Sequence, residues 1–576
     1  MLAICRSKSY DISGKLILMR FAPYLIILLF ALLGMKALFH PGLFTAHDIW
    51  HQVVRLYYYQ QAINDGQFPP YWISALANGL GYPLFFFSYH LPWILGTPLL
   101  NIGFDISTTL KILFFIAFLF SGLSMYLFVN NLLKNRLAAL LSSILYMWAP
   151  YHFLTILVGA SMGIVFVFIF LPLVLLGIHL IFEGKKLGIP LLAISLSAII
   201  LSHLMHVVFL SPLVALFIIW EFVRLRRIEF NKKVDFAKKI FLSSFLGILI
   251  SSFYLIPALY YQNATSVKKD NGIHKLYQRN FIDFKQMIYS KWGYGPIIRS
   301  AKDGEISFQL GIAQWISITG VFFMIFTKRL SKEYKSFAIF LLIGLLINIF
   351  LMLDISAPVW EYLLKFITLD YPFRMLMSVV FIGSVCSGLL LTSLNKHMQI
   401  IIFAFFVFVA IFTNRNHINV NLYTDIPLST YIASEVTTTT FNEYLPIDAD
   451  SKLLNQPSEL VEEAEIRVSN IQQTTNNLSL VLQSPEKISL PIRQFYFPGQ
   501  TLYIDGKKTL FTVDEKGRIN FNISSSSRNI IVRYEETQII KFAKFLTVGG
   551  ILILAIFFVS RDSLNKKFTF YKSHFV

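Results

Sequence analysis

The chain places a long apolar stretch at residues 21–39, FAPYLIILLFALLGMKALF, and follows it with a polar, aromatic stretch at residues 40–51, HPGLFTAHDIWH. A helix needs about 20 apolar residues to cross the hydrocarbon core of a bilayer, so residues 21–39 predict a membrane-spanning helix. Arg6, Lys8, Lys15 and Arg20 precede it. Because Lys-rich and Arg-rich loops stay in the cytoplasm, the N-terminus is predicted inside and the polar stretch outside. The span is interpreted as an anchor, since no A-x-A-like cleavage site follows it.

The composition of the whole chain indicates an integral membrane protein. Of its 576 residues, 55% are hydrophobic and 14% are charged, with a mean hydropathy of +0.61. The formal net charge of +18 does not indicate nucleic-acid binding, because the basic residues lie mostly in short loops beside apolar stretches, as the positive-inside rule requires. The two cysteines, Cys5 and Cys386, form no disulfide framework and match no metal-ligand spacing.

Hydropathy predicts about 12 transmembrane helices in all. After the first span, they lie near residues 108–132, 137–151, 162–182, 187–207, 208–222, 240–260, 308–326, 337–353, 375–394, 400–412 and 545–559. Residues 83–100 are apolar but interrupted by three prolines and a glycine, which favours an interfacial or re-entrant segment. This topology places His47, Lys285 and Asp505 outside the cell. It places Arg226, Lys328 and both chain termini in the cytoplasm.

The pattern changes after residue 412. Hydropathy falls, and period-two alternation over residues 465–468, 478–482 and 517–523 predicts strands separated by close turns such as Asp505-Gly506. We therefore predict an α-helical polytopic membrane protein with a small extracytoplasmic β-sandwich-like domain near the C-terminus. The predicted divisions are a membrane domain at residues 1–412, with its first outer loop at 40–107, a β domain at 413–537, and a final span with a basic cytoplasmic tail at 538–576.

Asp48 is the candidate catalytic residue of the first outer loop. It follows the first span by about nine residues, which places it near the headgroup layer where a lipid phosphate lies. One interpretation is a general base that deprotonates an acceptor hydroxyl during attack on a sugar's anomeric carbon. The other is a helix N-cap, because Asp48 directly precedes the helical pattern of residues 49–63. The sequence leaves both interpretations open.

Several other polar residues are predicted to bind substrate on the outer face. Arg374 follows Tyr371-Pro372-Phe373, and its planar guanidinium suits phosphate, although an interfacial arginine also explains it. His203 and His206 lie in the outer half of a span, where packing with a hydrogen bond is the alternative role. The complete predicted set of substrate-binding residues is His47, His51, Arg55, Tyr82, His203, His206 and Arg374.

His47, Asp48 and His51 also have the residue types of a metal site. His47 and His51 are four residues apart and would share one helix face. No third protein ligand is identifiable at metal-ligand spacing, so we predict no metal site and no cofactor, while a divalent cation stays open.

Short motifs of the outer loops carry a family resemblance. The first outer loop, with His47-Asp48, Asp65-Gly-Gln-Phe-Pro-Pro-Tyr-Trp72 and Gly81-Tyr82-Pro83, resembles the corresponding loop of bacterial multi-spanning GT-C glycosyltransferases. Tyr371-Pro-Phe-Arg374 is similar to a motif of the same proteins. The chain most resembles YfhO-like proteins and the membrane proteins labelled 6-pyruvoyl-tetrahydropterin synthase-related. The stretch 495–507 resembles the terminal β domain of that family, with Gln500 where the family usually has Trp.

The resemblance implies a GT-C-like fold and a membrane glycosyltransferase of the bacterial cell envelope. It implies a polyprenyl-phosphate-linked sugar donor, an extracytoplasmic acceptor that is a glycan, lipid or protein, and a first-loop acid as base, the position that Asp48 matches. The protein would act in the cytoplasmic (inner) membrane. Pterin chemistry is not supported, because the sequence has no histidine cluster with zinc-ligand spacing in a soluble domain.

Two other classes of function remain as alternatives. A polytopic transporter or lipid flippase would also need many helices and an outer polar cavity. Such proteins commonly place ionisable residues near the bilayer midplane, whereas the polar residues of this chain gather on the outer face. A non-catalytic envelope assembly protein, in which the β domain binds a partner, is the other alternative.

Overall fold

The computed structural model describes residues 21–225, 230–268, 276–295, 300–303, 305–327, 330–456, 460–461, 466–524 and 526–572. Arg226 and Lys328, both predicted to be cytoplasmic, lie outside these residues. The described chain is mostly helical up to residue 414, then rich in strands, and it ends in one long helix. This order confirms the predicted helical membrane protein with a β-rich region near its C-terminus.

Among the described residues, seven helices are long and apolar enough to cross a membrane, and nine if two bent pairs each count as one span. The seven are Ile106–Leu133, Met162–Phe182, His206–Arg224, Lys332–Met352, Pro372–Thr392, Lys396–Asn414 and Gln538–Val559. The bent pairs are Arg136–Met147 with Pro150–Val158, at 47°, and Phe230–Ile250 with Ser252–Ala264, at 75°. The predicted number of about 12 spans is therefore not confirmed.

Three predicted spans form shorter apolar helices, Phe21–Gly34, Gly188–Ser202 and Ile312–Ile325. In two of them, a local change in backbone conformation sets where the helix ends or begins. The second gives way to extended backbone at His203, with φ −165°, and the third begins after Gly311, whose φ of +113° is outside the helical region. A hydropathy window measures apolar content and does not detect these breaks, so it overestimates helix length.

Short elements build the loops between these helices that the charge pattern predicts to lie outside. They include Ile49–Asn64, Leu84–Phe87, Leu91–Asn101, Leu276–Arg279, Phe284–Ile288, Ala357–Leu363 and Leu428–Ser434. The helix Leu91–Asn101 has 11 residues, fewer than the roughly 17 that a crossing needs, which agrees with the prediction that residues 83–100 do not span. A two-residue antiparallel ladder, Leu43–Phe44 with Tyr423–Thr424, joins the first outer loop to the chain beyond the Lys396–Asn414 helix.

Eight strands form two antiparallel sheets in the β-rich region. In spatial order, the first sheet contains Arg467–Gln473, Asn477–Gln483, Ser527–Tyr534, Gln500–Ile504 and Lys507–Thr509. The second contains Ile488–Phe495, Arg518–Ile523 and Thr512–Val513. Leu478, Leu480 and Leu482 are buried while their neighbours are partly exposed, so the predicted period-two alternation marks the core face.

The β-rich region packs directly on the first outer loop. Asp65 accepts hydrogen bonds from the backbone N–H and the hydroxyl of Thr475, at 2.7 and 2.8 Å. The N–H of Phe495 donates to the carbonyl of Leu80 at 2.7 Å. Trp72 is fully buried, and its ring stacks with those of Phe497 and Tyr534. These contacts hold the first outer loop between the helices and the sheets.

Candidate functional site

The start of the helix Ile49–Asn64 fixes the position of Asp48. The N–H groups of His47 and Asp48 donate to the carbonyls of Val158 and Gly159, at 2.9 and 3.0 Å, at the end of a bent helix pair. Asp48 occupies the N-cap position, but its side chain makes no capping hydrogen bond. Its Oδ2 instead accepts a hydrogen bond from the hydroxyl of Ser161 at 3.2 Å. The carboxylate therefore does not perform the structural role that the N-cap interpretation requires.

Asp48 lines a cavity of about 600 Å³, a volume within the usual range for small-molecule sites. The described residues that line it include polar ones, among them His47, Asp48, His51, Arg55, Ser161, His203, Asp370, Arg374 and Glu443. The lining also includes apolar residues, among them Ile164, Leu204, Val207, Val208, Leu259, Phe366 and Ile367. A cavity of this mixed character can hold a molecule that has both a polar and a hydrocarbon part.

The predicted residues of the first outer loop have different partners. His47 is exposed, and its Nε2 lies 3.4 Å from the carbonyl of Tyr294. His51 donates from Nδ1 to a carboxylate oxygen of Glu435. The guanidinium of Arg55 hydrogen-bonds the hydroxyl and the carbonyl of Thr438. All three predicted residues line the cavity with Asp48.

Arg374 lies on the cavity wall in the short turn Pro372–Met375. Its Nη1 donates to both carboxylate oxygens of Asp370 at 2.7 Å, and its guanidinium carbon lies 4.8 Å from the centre of the Tyr371 ring. The pair is largely buried, so Asp370 supplies the counter-charge that lets an arginine remain there without a ligand. The predicted phosphate-binding residue therefore has its own carboxylate partner.

The two predicted histidines near Arg374 lie against each other, with ring centres 4.4 Å apart. His203 lines the cavity, whereas His206 is fully buried behind it. Burial, and to a smaller extent the positive charge of Arg374, hold the pKa of His203 well below its usual range. His203 is therefore neutral at pH 7.

Tyr82 is fully buried and is not among the residues that line the cavity. Its hydroxyl hydrogen-bonds Thr439 Oγ1 at 2.9 Å and accepts from the backbone N–H of Tyr444 at 3.0 Å. Tyr89, which does line the cavity, donates to Gln52 at 2.7 Å, and burial raises its pKa to about 12. Burial also raises the pKa of Tyr82, so both tyrosines keep their protons at neutral pH.

Sequence reasoning missed Glu443, Glu435 and the role of Asp370. Glu443 lines the cavity, and Glu435 reaches it through His51. The available signal was the polar stretch at residues 435–443, which follows the last span of the membrane region and holds two acids around four threonines. Within the described ranges, no group of three or more His, Cys, Asp or Glu side chains is arranged to hold a metal ion.

Comparison with known proteins shows the family of this chain. Residues 87–421 match the model of the 6-pyruvoyl-tetrahydropterin synthase related domain, which is described as a membrane protein. The chain belongs to this family. The resemblance inferred from the outer-loop motifs is thereby confirmed, as is the assignment to a membrane. A search of curated protein sequences gives no significant match.

Among solved structures, the chain is similar to arabinofuranosyltransferase AftD from Mycobacteria. One AftD structure shows 13% sequence identity and a TM-score of 0.41 over 72% of this chain. A second, of the mutant R1389S, shows 12% identity and a TM-score of 0.44 over 73% of this chain. The chain covers 26% and 28% of the two AftD chains, so it matches about a quarter of their length.

Proposed function

We propose that this protein is a GT-C-type membrane glycosyltransferase that moves a sugar from a polyprenyl-phosphate-linked donor to an extracytoplasmic acceptor. The observation that carries the proposal is the carboxylate of Asp48, which stands at a helix N-cap without capping and lines a cavity whose walls include both polar and apolar residues. A lipid-linked sugar combines a polar head with a hydrocarbon chain, and a cavity with both kinds of lining residue suits such a molecule.

The reaction requires a base and a stabilised leaving group. Asp48 takes the proton of an acceptor hydroxyl as that oxygen attacks the anomeric carbon of the donor. The bond from the anomeric carbon to the phosphate oxygen breaks, and polyprenyl phosphate leaves with the bonding electrons. Attack opposite the leaving group inverts the anomeric configuration. Arg374 lies on the same cavity and stabilises the charge of the departing phosphate.

We place the reaction on the outer face of the bacterial cytoplasmic membrane, with both chain termini in the cytoplasm. The partners are then a lipid-linked sugar donor, the surrounding membrane lipids and an envelope glycan, lipid or protein as acceptor. Positive charge in the short loops supports this orientation.

The test is transfer of radiolabelled sugar from polyprenyl-phosphate donors by purified protein in lipid vesicles. Asp48→Asn should lower kcat by roughly 10² to 10⁴-fold, because it removes the base while keeping the shape of the side chain. Asp105→Asn is the matched control. Asp105 caps the helix Ile106–Leu133 through the N–H of Thr108 at 2.9 Å, and Asn caps about as well as Asp, so its activity should be unchanged.

Arg374→Lys tests the phosphate side of the same cavity. Lysine keeps the charge but loses the planar set of donors, so the KM for the lipid donor should rise about tenfold with little change in thermal stability. Full activity of Asp48→Asn would remove Asp48 from the mechanism. Absence of transfer by the wild-type protein with every donor tested, together with movement of the lipid across the vesicle, would instead favour a flippase.

A further inference from the structure

The loop at residues 436–444, here called the threonine loop, forms part of the cavity wall through Thr439, Thr440, Phe441, Glu443 and Tyr444. Two residues of the first outer loop hold it in place. Arg55 donates from Nε to the hydroxyl of Thr438 at 3.3 Å and from Nη2 to the carbonyl of the same residue. Tyr82 hydrogen-bonds the side chain of Thr439 and the backbone of Tyr444. Arg55 and Tyr82 therefore position the loop.

Further contacts keep the loop in one conformation. The N–H of Ala77 donates to the carbonyl of Val436 at 2.7 Å, and the rings of Phe87 and Tyr444 stack with centres 4.8 Å apart. Thr438 and Asn442 adopt left-handed backbone angles, with φ of 58° and 52°. Such angles cost free energy in residues other than glycine, and they persist where surrounding contacts fix the chain. The loop therefore presents its side chains to the cavity in a defined arrangement.

Glu443 is the acidic residue that this loop brings to the cavity. Its Oε2 accepts a hydrogen bond from the N–H of Phe441 at 3.3 Å, and within the described part of the chain it forms no ion pair. The negative charges of Glu443 and Asp48 both act on Arg55 and on Tyr371. The two carboxylates therefore line the same cavity and act on the same neighbouring groups.

An independent feature of this cavity also indicates a polar ligand. His203 Nδ1 is buried without a hydrogen-bond partner among the described residues, and so are both ring nitrogens of His206 behind it. Buried polar atoms are nearly always hydrogen-bonded in folded proteins, and each exception needs an explanation. A bound molecule with several hydrogen-bonding groups would supply a partner for His203.

We propose that Glu443 binds the acceptor, and that the acceptor is a glycan. This inference rests on the proposed function, in which Asp48 deprotonates one acceptor hydroxyl. A carboxylate near that base can accept two hydrogen bonds from neighbouring hydroxyls of the same sugar ring, which orients the ring for attack. A peptide hydroxyl or a simple lipid alcohol lacks the adjacent hydroxyls that this second carboxylate would bind.

The experiment compares Glu443→Gln with wild type in the transfer assay, with methyl glycosides of hexoses and pentoses as acceptors. Hydrogen bonds to a charged group contribute enough for KM for the acceptor to rise about 10-fold or more, while KM for the lipid donor stays constant. Glu443→Asp keeps the charge and should restore part of the loss. Glu486→Gln, an exposed residue of the β-rich region, is the matched control and should behave as wild type.

Two further measurements separate a binding role from a structural one. Tyr82→Phe should also raise KM for the acceptor, and combining it with Glu443→Gln should add little, because both changes act on one contact. Binding of the methyl glycosides to Asp48→Asn protein, measured by calorimetry, should weaken by the same factor when Glu443→Gln is added. This second measurement does not depend on turnover.

Three outcomes would overturn the inference. The first is an unchanged KM for the acceptor in Glu443→Gln. The second is a rise confined to the lipid donor. The third is that the wild type requires a divalent cation for activity and Glu443→Gln requires a higher concentration of it, which would make Glu443 a cation ligand. If wild-type protein transfers sugar, each of these outcomes leaves the proposed function intact. Absence of any transfer by the wild type would count against the proposed function itself.

Discussion

Two aspartates of this chain stand at helix N-caps and differ in what their carboxylates do. Asp105 accepts hydrogen bonds from both the N–H and the hydroxyl of Thr108 and thereby caps its helix. Asp48 makes no such bond and lines the cavity instead. Forgoing a cap costs a helix about 1 kcal/mol, so helix stability does not account for a carboxylate at position 48, and we propose the catalytic role for it.

The buried side chain of His417 predicts how the stability of the protein depends on pH. The residue is buried, it hydrogen-bonds Asn414 at 2.8 Å, and its ring lies 4.1 Å from that of Trp292. Burial lowers its pKa from 6.5 to about 4. Between these values the unfolded chain binds a proton that the folded chain excludes, so stability falls as the pH decreases from 6.5 to 4. The contribution is on the order of 3 kcal/mol.

The prediction can be checked by thermal unfolding in detergent micelles across this pH range. His417→Gln cannot titrate and keeps a hydrogen-bonding side chain, so its melting temperature should depend less on pH than that of the wild type. His397 is exposed, and His397→Gln should retain the wild-type pH dependence. Identical curves for the wild type and His417→Gln would contradict the prediction.

At the scale of elements, the packing of the first outer loop against the sheets depends on Gly81. Its φ is +86°, and a Cβ atom added there would lie 2.1 Å from the ring of Trp72. Gly79 has a similar φ of +81°, but an added Cβ would meet no atom within 4 Å. Gly79→Ala should therefore destabilise the fold by roughly 1 to 2 kcal/mol, because alanine is strained in the left-handed backbone conformation. Gly81→Ala should destabilise it by about 1 to 3 kcal/mol more, because the added methyl group overlaps the Trp72 ring.

Thermal unfolding of the two alanine variants measures the difference directly. Gly81→Ala should melt at a lower temperature than Gly79→Ala, and it should also lower activity because the first outer loop carries Asp48. Equal melting temperatures would show that Trp72 does not pack as rigidly as its stacking with Phe497 and Tyr534 indicates.

For the whole molecule, the loops predicted to be cytoplasmic come together at one end of the helices. Glu183 pairs with Lys134 at 3.3 Å and with Lys185 at 2.6 Å, which joins two of these loops. Arg224 pairs with Glu333 and thereby joins two more. The first outer loop meets Tyr423–Thr424 and the β-rich region through separate contacts. This grouping of the loops agrees with the alternation that the charge pattern predicts.

Cysteine labelling in intact cells tests the orientation of these two groups. In a background that lacks Cys5 and Cys386, Lys507→Cys should react with an impermeant maleimide, and Lys185→Cys should react only after the membrane is permeabilised. Both positions are exposed, so access depends on the side of the membrane. Labelling of position 185 but not of position 507 would reverse the topology and place Asp48 in the cytoplasm.

The sequence by itself determined the class of the protein, most of its apolar helices, the strands after residue 412 and the presence of Asp48 in the loop after the first apolar helix. Hydropathy and period-two alternation are local properties, so a short window of sequence contains them. Only the tertiary structure decided the number of helices long enough to span, because backbone breaks such as the one at His203 shorten a helix without changing its composition.

The tertiary structure also decided the composition of the cavity. Arg55 and Thr438 are 383 residues apart in the chain and share two hydrogen bonds, and no local pattern could pair them. Glu443 reaches the cavity through that pairing, and Asp48 faces it because Val158 and Gly159 fix the start of its helix. Which side chains meet depends on how distant elements pack, and that information is distributed over the whole chain.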